Sequence, residues 1–287
     1  MTGIKIDGIK IAQDVKDRVR KAVEELKKQG INPCLATILV GDNQASATYV
    51  KNKHKACEEV GIITKDFKLA SNITQSELNK IIDELNKDRS VHGILVQLPL
   101  PNQLDEFIIT SRISPLKDVD GLTPHNAGLL AMKKAALVAC TPLGVMEMFD
   151  YHNIELKGKN IVLINRSNLV GKPLYHLLLA RDATVITCHS KTKNINELCQ
   201  LADIIITAVG DRSKFTLTPD MIKKDAIVID VAISKYKEKL VGDTDYDQII
   251  QKASYATPVP GGVGPMTVAM LLKNTITAAS LSSQIER

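Results

Sequence analysis

Tyr49 and Lys53 stand four residues apart in a segment, 46–60, of helical composition, so they share one helix face. Such a pair offers an aromatic platform and an amine that desolvation can bring toward neutrality. That combination suits orienting a flat heterocycle and moving protons beside it. Gln97 follows directly on the apolar run 91–96, and Asp118 and Asp120 stand in the stretch Lys117-Asp118-Val119-Asp120-Gly121. A carboxylate in such a loop can receive N–H donors from a heterocycle. Lys at i+4 from Tyr is equally ordinary on a solvated helix, so the pair alone does not separate the two readings.

A second group of residues suits a phosphorylated dinucleotide. The apolar run 160–164 is followed by Asn165-Arg166-Ser167-Asn168-Leu169-Val170-Gly171, where a helical segment begins. The G-x-G-x-x-G turn is absent, with only Gly171 in place. The position still predicts a helix start with free N–H groups and a positive dipole end, which attract phosphate. About 20 residues further on, NAD enzymes carry Asp or Glu to hold the ribose 2′-hydroxyl. This chain instead reads His189-Ser190-Lys191. A carboxylate there would repel a 2′-phosphate, whereas Ser190 and Lys191 can donate to one, and the Arg166 guanidinium can fork onto it. NADP is therefore the cofactor these residues point to. The alternative is that Arg166 and Lys191 are solvated loop cations.

The elements that must position these residues follow from hydrophobic periodicity. Residues 9–29 read as an amphipathic helix, with Ile11, Val15, Val19, Val23 and Leu26 on one face and Gly30 at its end. A buried strand is expected at 35–40, closed by Gly41-Asp42-Asn43, then a helix at 46–60 stopped by Gly61. A third helix is expected at 76–86 with Ser76 as its cap, and a strand at 91–96 before Pro99 and Pro101. The second half repeats the pattern: strand 160–164, helix 171–180, strand 184–188, helix 195–201, and strands 203–209 and 226–231. A last helix at 267–281 is expected to pack back on the first half. The Pro- and Gly-dense run 258–265 reads as irregular backbone that can approach a ligand closely, or as a plain linker. Strand–helix alternation without tight hairpins implies α/β architecture with parallel sheets, whose ligands lie beyond the carboxyl ends of the strands.

Composition bounds the remaining classes. A chain of 287 residues with 44% hydrophobic content can build two cores. With no Trp, six Tyr and four Phe, a nucleic-acid reader built on stacked aromatics is disfavoured. The net charge of +5 is scattered rather than blocked. Cys34, Cys57, Cys140, Cys188 and Cys199 form no C-x-x-C pair and are odd in number, which argues against a disulfide framework and a zinc site. The first residues lack an apolar signal region, and no apolar run approaches the roughly 18 residues that span a bilayer. The expectation is a soluble cytoplasmic protein with no metal and neither nucleic acid nor membrane as partner.

Taken in order, several segments resemble the bifunctional methylenetetrahydrofolate dehydrogenase/cyclohydrolase family, and the likeness covers nearly the whole chain. They are Ala45-Ser46 with Tyr49-Val50 and Lys53, the stretch 55–61, Gly93-Ile94-Leu95-Val96-Gln97-Leu98-Pro99-Leu100-Pro101, and 117–121. Cys140-Thr141-Pro142, Arg166-Ser167 and 257–267 complete the set. The resemblance implies two α/β domains flanking a cleft: a substrate and catalytic domain of residues 1–120 plus 266–287, and a Rossmann-type NADP domain of residues 121–265. It makes Lys53 the central catalytic residue, Gln97 its partner, Tyr49 the platform for the folate and Asp120 the group gripping the pterin. Pro260, Gly261, Gly262 and Gly264 would line the substrate site. Asn165, Arg166, Ser167, Ser190 and Ile233 would hold NADP. The family's usual form is a homodimer that oxidises 5,10-methylenetetrahydrofolate and hydrolyses the methenyl product to 10-formyltetrahydrofolate.

Three positions depart from the family pattern. Asn165 replaces a usual Gly, and its tolerance of positive φ is expected to preserve the turn. Ala232 replaces a Gly and is expected to crowd the nicotinamide side, and Gln44 replaces a Pro and is expected to loosen its turn. Two other classes share the architecture: a two-domain amino-acid or shikimate dehydrogenase, and a non-catalytic NADP- or folate-binding protein. The first has no need of Tyr49, Lys53, Gln97 and Asp120 together, and the second would tolerate the loss of Lys53.

Overall fold

Apolar runs too short for helices, separated by helical segments, can bury both faces only by pairing in parallel. The computed structural model describes residues 2–285 and bears this out. In chain order its elements are β1 (Ile4–Lys5), α1 (Gly8–Lys28), β2 (Cys34–Val40), α2 (Gln44–Val60), β3 (Ile63–Leu69), α3 (Gln75–Lys87) and β4 (Gly93–Val96). Then come α4 (Glu106–Arg112), α5 (Pro124–Ala131), α6 (Cys140–Tyr151), β5 (Asn160–Ile164), α7 (Gly171–Leu179), β6 (Thr184–Cys188), α8 (Ile195–Leu201) and β7 (Ile204–Thr207). The chain closes with β8 (Ile227–Asp230), β9 (Ser234–Tyr236), β10 (Lys239–Val241), α9 (Tyr246–Ile249), β11 (Tyr255–Ala256) and α10 (Val263–Ile285). Two compact units result, one of Met1–Gln13 and Thr141–Thr267, the other of Asp14–Cys140 and Val268–Arg287.

The second of these holds a three-stranded parallel sheet in the order β3-β2-β4. All seven residues of β2 are buried, as a central strand covered on both faces requires. One of its faces, Cys34, Ala36, Ile38 and Val40, packs with Ile94 and Val96 of β4 against Leu78, Ile82 and Leu85 of α3 and Ile109 of α4. The edge strand β3 was not anticipated, because its sequence ITKDFKL is half charged. Charged side chains on an edge strand discourage pairing with another chain, and they also hide the strand from a hydrophobicity reading. The cap of α3 is Thr74 rather than Ser76: Thr74 and Glu77 form a reciprocal capping box.

The other unit holds six parallel strands in the order β1-β11-β8-β7-β5-β6, with β9 and β10 forming a separate antiparallel hairpin. Val162, Ile164, Ile205 and Val228 from three strands share a core with Cys199 of α8 and Ile249 of α9. All five cysteines are free and buried. No helix among the described residues is long and apolar enough to cross a membrane.

The units divide the chain differently from the expected 1–120 and 121–265. Residues 2–13 go with the unit of the six-stranded sheet, because β1 pairs with β11 through Ile4 and Tyr255 and the Gly3 N–H donates to the Ile250 carbonyl at 2.8 Å. Residues 121–140 stay with the three-stranded unit. Asp118 accepts from the Leu122 and Thr123 N–H groups and from the Asn126 amide at 2.8–3.0 Å, which ties that segment down. The last helix starts at Val263 rather than 267. Pro265 lies in its first turn, where the missing N–H has no intrahelical partner to lose.

Asn274 of α10 links two stretches of backbone in the three-stranded unit. It is buried and its amide donates to the Val119 and Val138 carbonyls, both at 2.8 Å. Replacing Asn274 with Ala takes the amide donor from the Val138 carbonyl and leaves the Val119 carbonyl only the weak Cys140 thiol donor, an expected loss of about 2–3 kcal/mol. The thermal midpoint of the purified variant should fall by roughly 5–10 °C. An unchanged midpoint in scanning calorimetry would show that the carbonyls are satisfied without it.

Candidate active site

The helix carrying Tyr49 and Lys53 is defined at both ends. Asn43 caps α2 by accepting from the Ser46 N–H at 3.0 Å, and Gly61 ends it at φ 80°, a left-handed conformation suited to glycine. The turn before α2 is thus held by Asn43. Gln97 leaves the sheet beside α2: its N–H still donates to Ile38 of β2 at 2.9 Å, and its side chain stands at the carboxyl end of β4.

These two elements bring Lys53 and Gln97 together. The Lys53 Nζ donates to Gln97 Oε1 at 3.0 Å, and Gln97 Nε2 donates to the Leu98 carbonyl at 2.7 Å. Both ends of the Gln97 amide are therefore committed, which fixes its orientation toward the amine and leaves the other Lys53 donors available. Tyr49, one turn earlier on the same face, is 47% exposed, as a stacking platform must be.

The loop 117–121 divides its polar residues between framework and site. Lys117 donates to the Leu85 and Asp88 carbonyls at 2.9 and 2.8 Å, closing the end of α3, and Asp118 is consumed by its three donors. Gly121 has φ 65°, and a Cβ there would collide with the Val138 and Ala139 backbone. Asp120 remains for chemistry. It is half-buried, and burial pushes its carboxyl above the usual carboxylate range, against the pull of the Lys53 charge. The Cys140 thiol donates to the Val119 carbonyl at 3.3 Å and lies beside Asp120. Burial drives that thiol far above its ordinary value, so it stays protonated and acts as a donor. Cys140 and Asn274 carry no site motif of their own.

In the six-stranded unit, consecutive connections leave β5 toward β6 on one side and β7 on the other, which makes the carboxyl end of β5 the switch point. The turn there differs from expectation in two ways. Asn165 is not at positive φ among the described residues; its side chain is what builds the turn. Asn165 Oδ1 accepts from the Ser167 and Gly171 N–H groups at 2.7 and 3.0 Å, and its Nδ2 donates to the Ala208 carbonyl at 2.6 Å. The start of α7 also lacks free donors. The Val170 N–H donates to Ser167 Oγ, the Lys172 N–H to the Ser167 carbonyl, and Pro173 has none. An amide oxygen in place of a bare glycine has taken the N–H groups that phosphate would otherwise use.

The cations at this end are side chains instead. Arg166 is exposed, as are Ser190 and Lys191 after β6, and neither cation is ion-paired with another described residue. A cavity of about 210 Å³ opens beside Arg166, lined also by Gly171, Lys172, Tyr175, His176 and Thr187. The turn after β6 is held by the His189 N–H donating to Thr192 Oγ1 at 2.9 Å. Ile233, past β8, is 45% exposed, whereas Ala232 is buried with its N–H on Asp230 Oδ1. The glycine loop before α10 belongs to this unit. Gly261 has φ 97°, and a Cβ on Gly262 would strike the Pro258 carbonyl. The loop therefore needs both glycines for its own shape.

Asp230 and Asp243 are buried carboxyls at the same sheet edge. Burial pushes Asp230 up to about 6 despite the Thr244 bonds that favour its charge. A folded value above the unfolded one stabilises fully below about pH 4, and the contribution is lost as pH rises through 6. Ionised Asp230 is thus carried at a cost to folding.

Two family models cover the chain. Residues 6–120 match the catalytic domain, and residues 139–283 the NAD(P)-binding domain, of tetrahydrofolate dehydrogenase/cyclohydrolase. The chain is 83% identical over 285 residues to the bifunctional protein FolD of Nitrosopumilus maritimus, covering 99% of each. It is 48% identical to the solved bifunctional FolD dehydrogenase/cyclohydrolase of Campylobacter jejuni, with a TM-score of 0.93 over 96% of this chain and 98% of that one. The Trypanosoma brucei enzyme, solved with NADP cofactor and inhibitor, is 37% identical with a TM-score of 0.94 over 99% of both chains. By these measures the chain belongs to the tetrahydrofolate dehydrogenase/cyclohydrolase family.

Proposed function

We propose that this protein is a bifunctional enzyme of one-carbon folate metabolism. It oxidises 5,10-methylenetetrahydrofolate with NADP⁺ and hydrolyses the 5,10-methenyl product to 10-formyltetrahydrofolate. The observation that carries this reading is the Lys53–Gln97 hydrogen bond with Asp120 close by, within the segment that matches the family's catalytic domain.

In the first step a C–H bond of the methylene carbon breaks as hydride, and a nitrogen lone pair forms the C=N⁺ bond of the methenyl cation. No proton is released, so the protein's contribution is orientation. Tyr49 presents its ring to the folate, and Asp120 accepts N–H donors of the pterin. Hydrolysis differs. Water forms a C–O bond at the methenyl carbon and loses one proton, for which Lys53 serves as general base or proton shuttle. Breaking the bond from carbon to N5 then moves the hydroxyl proton to N5 and leaves the formyl group on N10. Gln97 keeps the Lys53 nitrogen in place through this cycle.

The strand-end residues fit NADP. Arg166 and Lys191 are uncommitted cations at two consecutive strand ends, and no carboxylate stands there to repel a 2′-phosphate. When bound, NADP⁺ supplies the hydride acceptor. Arg166, Ser167 and Ser190 hold its phosphates, Asn165 shapes the turn beneath them and Ile233 flanks the nicotinamide. The reported NADP complex of the Trypanosoma brucei relative supports the same choice. A homodimer in the cytoplasm, feeding purine and amino-acid biosynthesis, is the setting we infer from the family.

Purified protein given methylenetetrahydrofolate and NADP⁺ should form NADPH without accumulating methenyl absorbance; absence of NADPH removes the proposal. Lys53→Met is expected to abolish hydrolysis of methenyltetrahydrofolate, and a variant that keeps this activity would remove Lys53 from its role. Arg166→Ala should raise the KM for NADP⁺ by roughly tenfold or more, the size of one charge-assisted contact, while scarcely changing that for NAD⁺. Equal effects on the two would show that Arg166 does not read the 2′-phosphate.

A further inference from the structure

Asp243 accepts three hydrogen bonds and lies 0% exposed behind the strand-end loops of the six-stranded sheet. Its Oδ2 takes the Thr207 hydroxyl at 2.6 Å and the Val209 N–H at 2.7 Å, and its Oδ1 takes the Gly210 N–H at 3.0 Å. The loop after β7 therefore hangs from this one carboxylate. Asp230 closes the neighbouring loop in the same manner. Its Oδ1 accepts from the Ala232 N–H at 3.1 Å and the Asp243 N–H at 3.2 Å, and its Oδ2 from the Thr244 N–H and hydroxyl at 2.8 and 2.7 Å. The β9–β10 hairpin leaves this edge after Ile233 and returns at Gly242, and the two carboxylates clasp its base. Gly242 has to be glycine, since a Cβ there would run into the Asp230 carboxylate.

The network reaches the first turn as well, through the Asn165 amide on the Ala208 carbonyl. Three strand ends around the switch point, those of β5, β7 and β8, are thereby joined by consecutive hydrogen bonds. The loops so joined turn apolar side chains outward: Val209 is 38% exposed and Ile233 45%. Two buried carboxyls in mutual repulsion are an expensive way to brace loops, and such cost concentrates at functional sites.

We propose that Asp243, backed by Asp230, is a positioning residue for dinucleotide binding, holding the strand-end loops 207–210 and 230–233 as one frame. The proposal rests on the NADP-dependent reading above. Asp243 does not touch the dinucleotide. It acts through Val209, Gly210 and, by way of Asp230, Ile233. In Asp243→Asn the amide can accept from Thr207 and Val209, but an N–H then faces the Gly210 N–H, so that loop is released.

The test compares wild type, Asp243→Asn and Thr207→Val, the last removing only the hydroxyl donor. In Asp243→Asn the KM for NADP⁺ should rise about tenfold, with kcat at saturating NADP⁺ changed less than threefold. Hydrolysis of methenyltetrahydrofolate, which uses no dinucleotide, should keep its kcat/KM. Thr207→Val should move the same KM two- to threefold, and it decides the matter alone if Asp243→Asn does not fold. A parallel Kd for NADPH, read from nucleotide fluorescence, should rise by matching factors. That measurement stands whether or not wild type oxidises methylenetetrahydrofolate, so a failure of the functional reading is told apart from a failure of this one. An unmoved Kd in the folded variants overturns the proposal. So does a fall in hydrolysis that keeps step with the change in KM, since general destabilisation would then account for both.

Discussion

Parallel strands deliver the chain to one sheet edge, because each crossover must return it to the starting edge before the next strand begins. Both units are built on that constraint. In the three-stranded sheet it puts Gln97 and the turn leading into α2 at the same end, so a helix face carrying Lys53 meets a strand-end amide. In the six-stranded sheet it gathers Asn165, the Val209 loop, the Ala232 loop and the Ser190 turn along one edge. Residues far apart in sequence become neighbours because the strands share a direction.

A shared edge has an electrostatic consequence. Backbone N–H and carbonyl groups leave their ladders there and need partners, since an unpaired buried polar group costs more than a formed bond returns. The protein meets that need with short side chains. Asp118 serves the loop before α5, Asn274 the Val119 and Val138 carbonyls, Asn165 the turn before α7, and Asp243 the loop after β7. With these framework groups consumed internally, Lys53, Asp120, Arg166 and Ser190 keep hydrogen-bonding capacity that no framework role uses up. The division is sharpest at 117–121, where Lys117 and Asp118 are locked and Asp120 is not.

Much of this order was legible from residue patterns. The buried strands 35–40 and 160–164, the helix through Lys53 ending at Gly61, and the alternation implying parallel sheets all appear where periodicity placed them. Less visible were β3, disguised by the charges an edge strand carries, and β1, a two-residue strand too short to show a period. The start of α10 was hidden by Gly264 and Pro265, which read as breakers but are tolerated in a first helical turn. At the cofactor turn the residues were correctly located and their roles were not. Asn165 was expected to supply a backbone conformation and instead supplies two hydrogen-bonding ends.

The sequence by itself determined the class of fold, the elements bearing Tyr49, Lys53 and Gln97, and the absence of an acid at the ribose position. These are properties of local pattern, of residue type at a strand end, or of long motifs shared with the family. Only the tertiary structure decided which polar residues remain free. Whether Asp118 or Asp120 faces a ligand, and whether a helix start still has donors to offer, depends on partners remote in the chain. The Asn274 amide reaches Val119 and the Asp243 carboxylate reaches Val209 across such distances. Hydrogen bonds saturate, so a side chain is available for chemistry only after every buried group around it has been satisfied.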